Sequence, residues 1–282
     1  MSALAELCIR RGGVLTREEL SNFEFGSHRE RLIDQSRGIR NPRGMIATLS
    51  IVSSSDGPYR DRDTDDGFLR YDYRVGSDQG DNRKLREAVR LGLPLILLRK
   101  IAKGQYLPVF PVYAVVDDRP NRQFLVALDE SLKLFGDVRH LSPDQRRYAE
   151  RISRTRLHQP EFRGRVLLAY DRTCTVCALH HAELLDAAHI VPDGELLGEP
   201  VVNNGLSLCK IHHAAYDANI IGIDPESRVH VNEAILREQD GPMLRHGIQA
   251  MHGRLLASPS LSSDRPDPER LAIRFGRFRS AS

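Results

Sequence analysis

Cysteine and lysine are scarce in this chain of 282 residues, and long apolar runs are absent. A membrane-spanning helix needs roughly 18 apolar residues, whereas the longest candidate, residues 91–98, is interrupted by Gly92 and Pro94. Four cysteines without an apolar signal segment argue against a secreted disulfide framework. We therefore expect a soluble, cytoplasmic protein that does not enter a membrane.

Lysine supplies only five of the 41 basic residues, so arginine dominates the positive charge, although the net charge is only +3. The planar guanidinium pairs with phosphate in two places at once and can reach guanine edges, which favours a DNA partner. A genome rich in G and C would enrich arginine without any functional demand. The composition is therefore weak support for nucleic-acid binding.

Three of the four cysteines lie in one stretch with metal-ligand spacing. Cys174 and Cys177 form a C-x-x-C pair, and Cys209 with His212 forms a second pair. Three thiolates and one imidazole are a typical donor set for a tetrahedral structural Zn²⁺ site. Such a pattern alone is as often a structural clip or a binding module as part of an enzyme.

Other histidines near these pairs are not needed by a zinc site. His189 lies in the stretch A-A-H-I-V-P, and His213 precedes Asp217 by four residues. Asp217 therefore follows His213 by one helical turn, and unused ligands beside a closed structural site suggest chemistry. His180 and His181 are interpreted as surface residues.

This combination resembles the HNH nucleases, over roughly residues 164–223. In that family two strands and a helix form a ββα-metal fold around one catalytic divalent ion. The resemblance implies that His189 is the general base that takes a proton from the attacking water. It also implies that Asn204 braces the backbone of the site, with Asn203 as the alternative.

The resemblance further implies that His213 and Asp217 hold the catalytic ion, which could be Mg²⁺, Mn²⁺ or another divalent ion. Many members of the family carry a further ligand immediately before the base, where this chain has Ala188. Asp186 lies two residues earlier and points to the same side of a regular strand. The metal ligands on that side are therefore left open.

The first half of the chain has a different pattern, in which short apolar runs alternate with turn residues. The runs predict a β-rich, barrel-like domain with one clear helix over residues 81–91. The predicted strands cover residues 45–52, 68–73, 95–100, 109–116 and 124–128.

This region resembles the SET-and-RING-associated (SRA) domain, a PUA-like barrel that flips a modified cytosine out of duplex DNA. The resemblance runs through D-G-P-Y-R-D-R-D-T-D-D-G-F-L-R-Y-D-Y, D-N-R-K-L-R-E-A, P-L-I-L-L-R and Y-L-P-V-F-P-V-Y-A-V-V-D-D. It implies that Tyr59 and Tyr71 stack on the flipped base, with Tyr73 as the alternative to Tyr71. Asp61 or Asp63 would accept a hydrogen bond from the cytosine amino group. A polar loop followed by ordinary strand aromatics would contain the same residues.

The predicted architecture is α+β, with an SRA/PUA-like β-barrel and flanking helices before a zinc-stabilised ββα-metal HNH domain. Helices predicted at residues 3–11 and 16–24 are interpreted as an accessory layer rather than an abbreviated helix-turn-helix. The four predicted parts are a DNA-reading domain (1–140), a helical linker (141–163), the nuclease domain (164–257) and a flexible basic tail (258–282).

The sequence thus predicts a type IV-like restriction endonuclease that cuts double-stranded DNA containing 5-methyl- or 5-hydroxymethylcytosine. One HNH site cuts one strand, so a double-strand break favours a homodimer. Two alternatives stay open. One is an HNH restriction endonuclease that reads an unmodified sequence, and the other is a non-catalytic, zinc-containing DNA-binding protein.

Overall fold

A computed structural model describes residues 1–54, 62–63, 67–74, 80–135 and 140–281, with the backbone alone at 62 and 63. The chain divides into two compact units, Met1–Glu161 and Phe162–Ser282. Their boundary lies close to the predicted end of the helical linker at residue 163. No helix in the described ranges is long and apolar enough to cross a membrane.

The first unit combines a large sheet with short helices. A 3₁₀ segment (Glu130–Phe135) follows its last strand, and one π-helical turn (Arg154–His158) continues its last helix. The elements in chain order are α1 (Ser2–Arg10), β1 (Leu15–Thr16), α2 (Arg17–Ser21), β2 (Phe23–Phe25), β3 (His28–Glu30), β4 (Ile39–Arg40), β5 (Ser50–Ser54), β6 (Arg62–Asp63), β7 (Leu69–Asp72), α3 (Asp81–Leu91), β8 (Leu95–Ala102), β9 (Gln105–Asp118), β10 (Gln123–Ala127) and α4 (Pro143–Ser153).

In the first unit β2 and β3 pair as a separate hairpin, and the other eight described strands form a curled half-barrel. Their order is β4-β5-β8-β9-β10-β7-β6, with β1 paired to β9. The β5–β8 pair is parallel, and the other pairs are antiparallel. The helix at 81–91 and the strands predicted at 68–73, 95–100, 109–116 and 124–128 are confirmed, whereas the strand predicted at 45–52 begins only at Ser50. A closed SRA-type barrel is not established by this sheet, since β4 and β6 lie at opposite ends of the strand order.

The central strand β8 is buried on both faces of the sheet. Leu95 and Leu97 pack into one core, which also contains Phe124. Ile96 and Leu98 pack into a second core with residues of α1 and α2. Burial on both faces explains why this strand is a continuous apolar run rather than an alternating one. The N-terminal helices therefore form a packing layer on the sheet.

Local sequence signals fix the starts of two helices. The side chain of Thr16 accepts a hydrogen bond from the backbone of Glu19, whose carboxylate accepts one from the backbone of Thr16. Ser142 and Gln145 form the same reciprocal pair ahead of α4, where proline occupies the first helical position. Both capping boxes satisfy backbone N–H groups that the first turn leaves unpaired.

The second unit is built around two short hairpins and one large hydrophobic core, with a smaller cluster of Phe162, Val166 and Tyr170. Helix α5 (Gln159–Ala169) crosses the unit boundary. The elements that follow are β11 (Leu185–His189), β12 (Gly205–Cys209), α6 (Lys210–Asp217), β13 (Ile221–Ile223), β14 (Val229–Val231), α7 (Glu233–Arg237) and α8 (Pro268–Ala281). β11 pairs with β12, and β13 pairs with β14, in both cases antiparallel.

The predicted flexible basic tail contains helix α8, which is docked rather than free. Leu271, Arg274 and Phe278 are buried along one side of this helix. The Arg274 guanidinium donates to the carbonyl of Tyr216 and lies 4.5 Å from the centre of that ring. Spacings of three and four residues place these side chains on one helical face, which explains the docking.

Candidate active site and metal centre

The predicted zinc ligands converge in the second unit. Donor atoms of Cys174, Cys177, Cys209 and His212 all lie within 4.8 Å of one another. Nδ1 of His212 is 3.1 Å from the Cys209 sulfur and 3.6 Å from the Cys174 sulfur. His180 and His181 are exposed and outside this group. The cluster could hold a structural metal ion.

The second nitrogen of His212 supports this assignment. Nε2 lies 2.7 Å from the carbonyl oxygen of Gly247. A carbonyl only accepts, so Nε2 carries the proton and Nδ1 presents its lone pair to the cysteines. Fixing the tautomer through the non-ligating nitrogen is typical of metal-bound histidines. The residues therefore fit a tetrahedral Cys₃His site.

The hairpin β11–β12 places His189 at the last position of its first strand, opposite Gly205. Asn204, the residue before Gly205, is fully buried. Its side-chain oxygen accepts from the backbone N–H of Val191 at 2.9 Å, and its nitrogen donates to the carbonyls of Val191 and Glu199, both at 3.0 Å. Asn204 thus holds both ends of the long loop between the two strands.

Asn203, the alternative bracing residue, has a different role. Its side-chain oxygen accepts from Arg270 of α8 at 2.6 Å, and Arg270 also pairs with Glu199 at 2.8 Å. The backbone carbonyl of Asn203 accepts from the N–H of Asp267. Asn203 therefore joins the loop to the C-terminal helix.

The imidazole of His189 stacks on Phe162, a residue of α5 that the sequence did not single out. The ring centres are 4.0 Å apart, and the planes differ by 18°. Gly205 makes room for this stack, because a Cβ there would lie 2.4 Å from Val166 and 3.0 Å from Phe162. The glycine of N-N-G is the only local sign of this packing, and it does not identify the partner ring.

The stacked imidazole is half-buried, which changes its titration. Burial lowers the pKa of His189 below its ordinary value; Asp193 opposes this effect, and the nearby His213 adds to it. Its Nε2 atom is enclosed and has no hydrogen-bond partner among the described residues. The lowered pKa favours the neutral imidazole, which is the form that can accept a proton at neutral pH.

His213 lies on α6 between two carboxylates. Its Nε2 is 3.4 Å from an oxygen of Asp217, one turn further along the helix, and its Nδ1 is 3.7 Å from an oxygen of Asp186. The first distance suits two neighbouring ligands of one divalent ion. The second places a carboxylate on the opposite side of the ring, where it faces the other nitrogen.

Asp186 also forms ion pairs with two basic side chains. Lys210 approaches one carboxylate oxygen at 2.8 Å, and Arg163 approaches the other at 3.5 Å. Burial alone would raise the pKa of Asp186, but Lys210, Arg163 and His213 outweigh burial and lower it. The carboxylate is therefore ionised at neutral pH. Ala188, by contrast, is completely buried in the core and offers no ligand atom.

The predicted base-reading residues lie in the first unit. Tyr59 and Asp61 are outside the described residues, and Asp63 is described only as backbone in β6. Tyr71 and Tyr73 are both buried in the half-barrel core. The Tyr71 hydroxyl donates to the carbonyl of Gly38 at 3.1 Å. The Tyr73 ring lies 4.8 Å from the Phe124 ring with the planes tilted by 36°, and its hydroxyl donates to Asp117.

Comparison with known proteins identifies part of the chain. Two solved structures are similar, "Modification dependent TagI restriction endonuclease" and "Structure of the Type IV phosphorothioation-dependent restriction endonuclease ScoMcrA". The first is 15% identical, covers 93% of this chain and 90% of its own, and gives a TM-score of 0.31. The second is 16% identical, covers 88% of this chain and 52% of its own, and gives a TM-score of 0.26.

The chain therefore spans about half the length of the second structure. No curated protein sequence matches the chain. A family model described as HNH endonuclease, however, matches residues 174–224, which include the Cys₃His cluster, both strands of the β11–β12 hairpin and helix α6. Residues 174–224 therefore form an HNH endonuclease domain.

Proposed function

We propose that the chain is a metal-dependent endonuclease that hydrolyses phosphodiester bonds in cytosine-modified, double-stranded DNA. One observation carries the nuclease assignment. Within the matched domain, a half-buried imidazole at residue 189 lies close enough to His213 to be influenced by its charge, while His213 and Asp217 are spaced to bind one ion. A base beside a cation site is the arrangement that metal-assisted hydrolysis of a phosphodiester requires.

Each residue of the site then has a defined role. His189 accepts a proton from the attacking water, and its lowered pKa keeps it in the base form at neutral pH. His213 and Asp217 hold a divalent ion such as Mg²⁺ or Mn²⁺. When bound, that ion stabilises negative charge on the phosphate and on the departing 3′ oxygen. Asn204 holds the loop ends beside the base, and Asp186 orients His213.

The Cys₃His cluster is proposed to bind Zn²⁺ with a structural role. The four donors come from the segment before the hairpin, from the last residue of β12 and from the first turn of α6. A closed four-ligand site leaves no open position for substrate. The ion would therefore fix α6 against the hairpin, which sets the position of His213 relative to His189.

The first unit is proposed to read the modified base, a 5-methyl- or 5-hydroxymethylcytosine. Tyr59 would stack on the extruded base, and Asp61 or Asp63 would accept from its amino group. Tyr71 and Tyr73 have buried hydroxyls with partners of their own. The proposal therefore assigns base stacking first to Tyr59. A homodimer would bring two nuclease sites to the two strands.

Plasmid cleavage tests this function. Unmodified, methylated and hydroxymethylated plasmids are incubated with the protein in magnesium, manganese or nickel. We expect cleavage of modified plasmid only, and His189→Ala should abolish it while DNA binding and zinc content persist. Cleavage of fully unmodified DNA would instead favour the enzyme that reads an unmodified sequence. Absence of cleavage with every metal would favour a non-catalytic DNA-binding protein.

A further inference from the structure

A second strongly polar site lies in the first unit, in the segment that enters and leaves strand β4. Residues 30–43 form most of a cavity with a volume of about 600 Å³. Four arginines line it, Arg31, Arg37, Arg40 and Arg43. None of these residues belongs to the nuclease domain or to the predicted base pocket.

The positive charge of this cavity is only partly compensated. Arg40 pairs with Glu30 at 3.0 Å, and Arg37 pairs with Asp81 at 3.2 Å. The side chains of Arg31 and Arg43 have no hydrogen bond or ion pair within the part of the chain that the structure describes. Two guanidinium groups are therefore available for an anion.

The remaining acid of the cavity is used by the loop itself. One carboxylate oxygen of Asp34 accepts from the backbone N–H groups of Ser36 at 3.1 Å and Arg37 at 3.2 Å. Glu30 is already paired with Arg40. The cavity is lined by four arginines and two acidic residues, so its lining carries a net charge of about +2. The whole chain has a net charge of only +3, so this cavity is a concentrated positive site.

The loop is also held in place from several sides. Arg17 of α2 donates to the carbonyls of Asp34 and Gln35, both at 2.7 Å. Asn41 donates to the carbonyl of Asp81 at 3.2 Å, and Lys84 donates to that of Pro42 at 2.8 Å. Because hydrogen bonds to its backbone carbonyls already hold this loop in place, the loop does not need to become ordered when its arginines bind a ligand. Preorganisation of this kind lowers the entropic cost of binding.

We propose that this cavity binds the sugar-phosphate backbone of the DNA, with Arg31 and Arg43 as its phosphate contacts. The inference rests on the proposed function, in which DNA is the substrate. The guanidinium fork matches two phosphate oxygens at once, which an isolated ammonium does not. The cavity is far larger than a single phosphate, as a stretch of polymeric backbone requires. Backbone contacts position the protein on the duplex and carry no base information.

The salt dependence of DNA binding tests the proposal. Arg31→Ala and Arg43→Ala are combined in a His189→Ala background, so that no duplex is cut during the measurement. Arg10→Ala, an exposed arginine at the end of α1, is the matched control. Dissociation constants are measured against salt concentration for methylated and plain duplexes of one sequence. Melting temperatures check that each variant is folded.

We expect the slope of log K against log salt to fall by about 2 in the double variant, since each phosphate contact contributes about 0.9. Affinity should fall by the same factor for both duplexes, while Arg10→Ala leaves the slope unchanged. Arg31→Lys with Arg43→Lys should restore most of the slope, because charge is retained.

An unchanged slope in the alanine double variant would overturn the proposal, as would a loss of affinity confined to the methylated duplex. Failure of the proposed function gives a different result. Suppose that the protein cuts no plasmid, but that the salt dependence of its DNA binding still changes when Arg31 and Arg43 are replaced. The proposed backbone contact would then stand, and the nuclease assignment would be wrong. A protein that binds neither duplex at low salt would remove both.

Discussion

The imidazole of His189 lies flat on the ring of Phe162, with ring centres 4.0 Å apart and planes within 18° of parallel. Phe162 comes from α5, whereas His189 ends strand β11. The stack covers one face of the imidazole and contributes to its burial. Both the direction of the ring and its pKa therefore depend on a residue outside the nuclease motif.

Phe162→Ala should change the pH dependence of cleavage. Removal of the ring exposes the imidazole to water, so the lowered pKa of His189 rises toward its ordinary value. The base must be neutral, so the acid limb of the pH–rate profile moves to higher pH. We also expect the rate at the plateau to fall by between about 10- and 100-fold, because the base is less well placed.

The measurement is the cleavage rate between pH 5 and pH 9. Phe25→Ala serves as the matched control, because Phe25 is 43% exposed and lies in the first unit. A profile for Phe162→Ala whose acid limb coincides with that of the wild type would contradict a role of the stack in tuning the base.

Gly205→Ala should destabilise the second unit. The added Cβ would lie 2.4 Å from the Val166 side chain and 3.0 Å from Phe162, so buried groups must move. Overpacking of this kind costs about 1–3 kcal/mol. Combining the change with Val166→Ala should recover part of the loss, since the closest contact is then removed.

Urea unfolding and thermal melting measure this effect. Gly276→Ala is the control, because a Cβ at that helical position in α8 meets nothing within 4 Å. It should be neutral or stabilising, by up to about 1 kcal/mol. Equal stability of the Gly205→Ala and wild-type proteins would refute the proposed crowding.

Asp186→Ala should weaken binding of the catalytic ion without affecting zinc. The carboxylate faces Nδ1 of His213 and neutralises Lys210, so its loss leaves a lysine ammonium beside an unsupported ligand. Loss of a residue that orients a metal ligand typically lowers metal affinity by about 10- to 100-fold. Asp186→Asn should be milder, because it retains an oxygen acceptor.

Mn²⁺ titration by calorimetry, together with the Mn²⁺ dependence of cleavage, checks this expectation. Zinc content is measured on the same samples. Glu183→Ala, which changes an exposed acid near the same strand, is the control. An unchanged Mn²⁺ requirement in Asp186→Ala would show that His213 is oriented without this carboxylate.

Removal of the structural metal should unfold the hairpin and α6 together. The cluster joins three separate segments, and such sites contribute directly to folding. Cys177→Ser should lower the melting temperature and abolish cleavage. After mild chelation that removes only the catalytic ion, added magnesium should restore cleavage activity. Protein that has also lost its zinc should stay inactive when magnesium is added. Full activity without bound zinc would contradict a structural role.

The sequence predicted the Cys₃His cluster, and it suggested the other site residues where their spacing is local. C-x-x-C, the His189 strand and the i,i+4 pair on α6 each depend on neighbouring residues. It did not predict contacts between distant segments. Phe162 precedes the motif and has no spacing relation to His189, and Asp186 was considered as a possible ligand rather than as a support for His213.

The C-terminal segment shows the limits of composition as a guide. Serine, proline and aspartate around residues 258–268 are typical of flexible chain, and the arginines that follow indicated a basic tail. The spacing of Leu271, Arg274 and Phe278 was a signal for a packed helix, but Arg274 conceals it. A search for regularly spaced apolar residues treats arginine as a polar, exposed position. Arg274 is nevertheless buried against the Tyr216 ring.

Arg270→Ala should loosen the loop between β11 and β12. Arg270 donates to the Asn203 side chain and pairs with Glu199, and Asn204 in turn depends on the Glu199 carbonyl. Loss of the guanidinium leaves the loop attached through Asn204, the Arg277–Glu195 ion pair and the backbone hydrogen bond from Asp267 to Asn203. Because that loop begins just after His189, we expect faster amide exchange over residues 193–204 and a lower cleavage rate, with unchanged zinc content.

Hydrogen exchange monitored by mass spectrometry measures the effect over residues 193–204, with Arg279→Ala as the control. Arg279 is exposed on the same helix and has no ion pair among the residues the structure describes. Its removal subtracts the same charge without touching the loop, so exchange and cleavage should match the wild type. If both variants exchange alike, Arg270 does not hold the loop. If only Arg270→Ala accelerates exchange, the C-terminal helix is part of what positions the base.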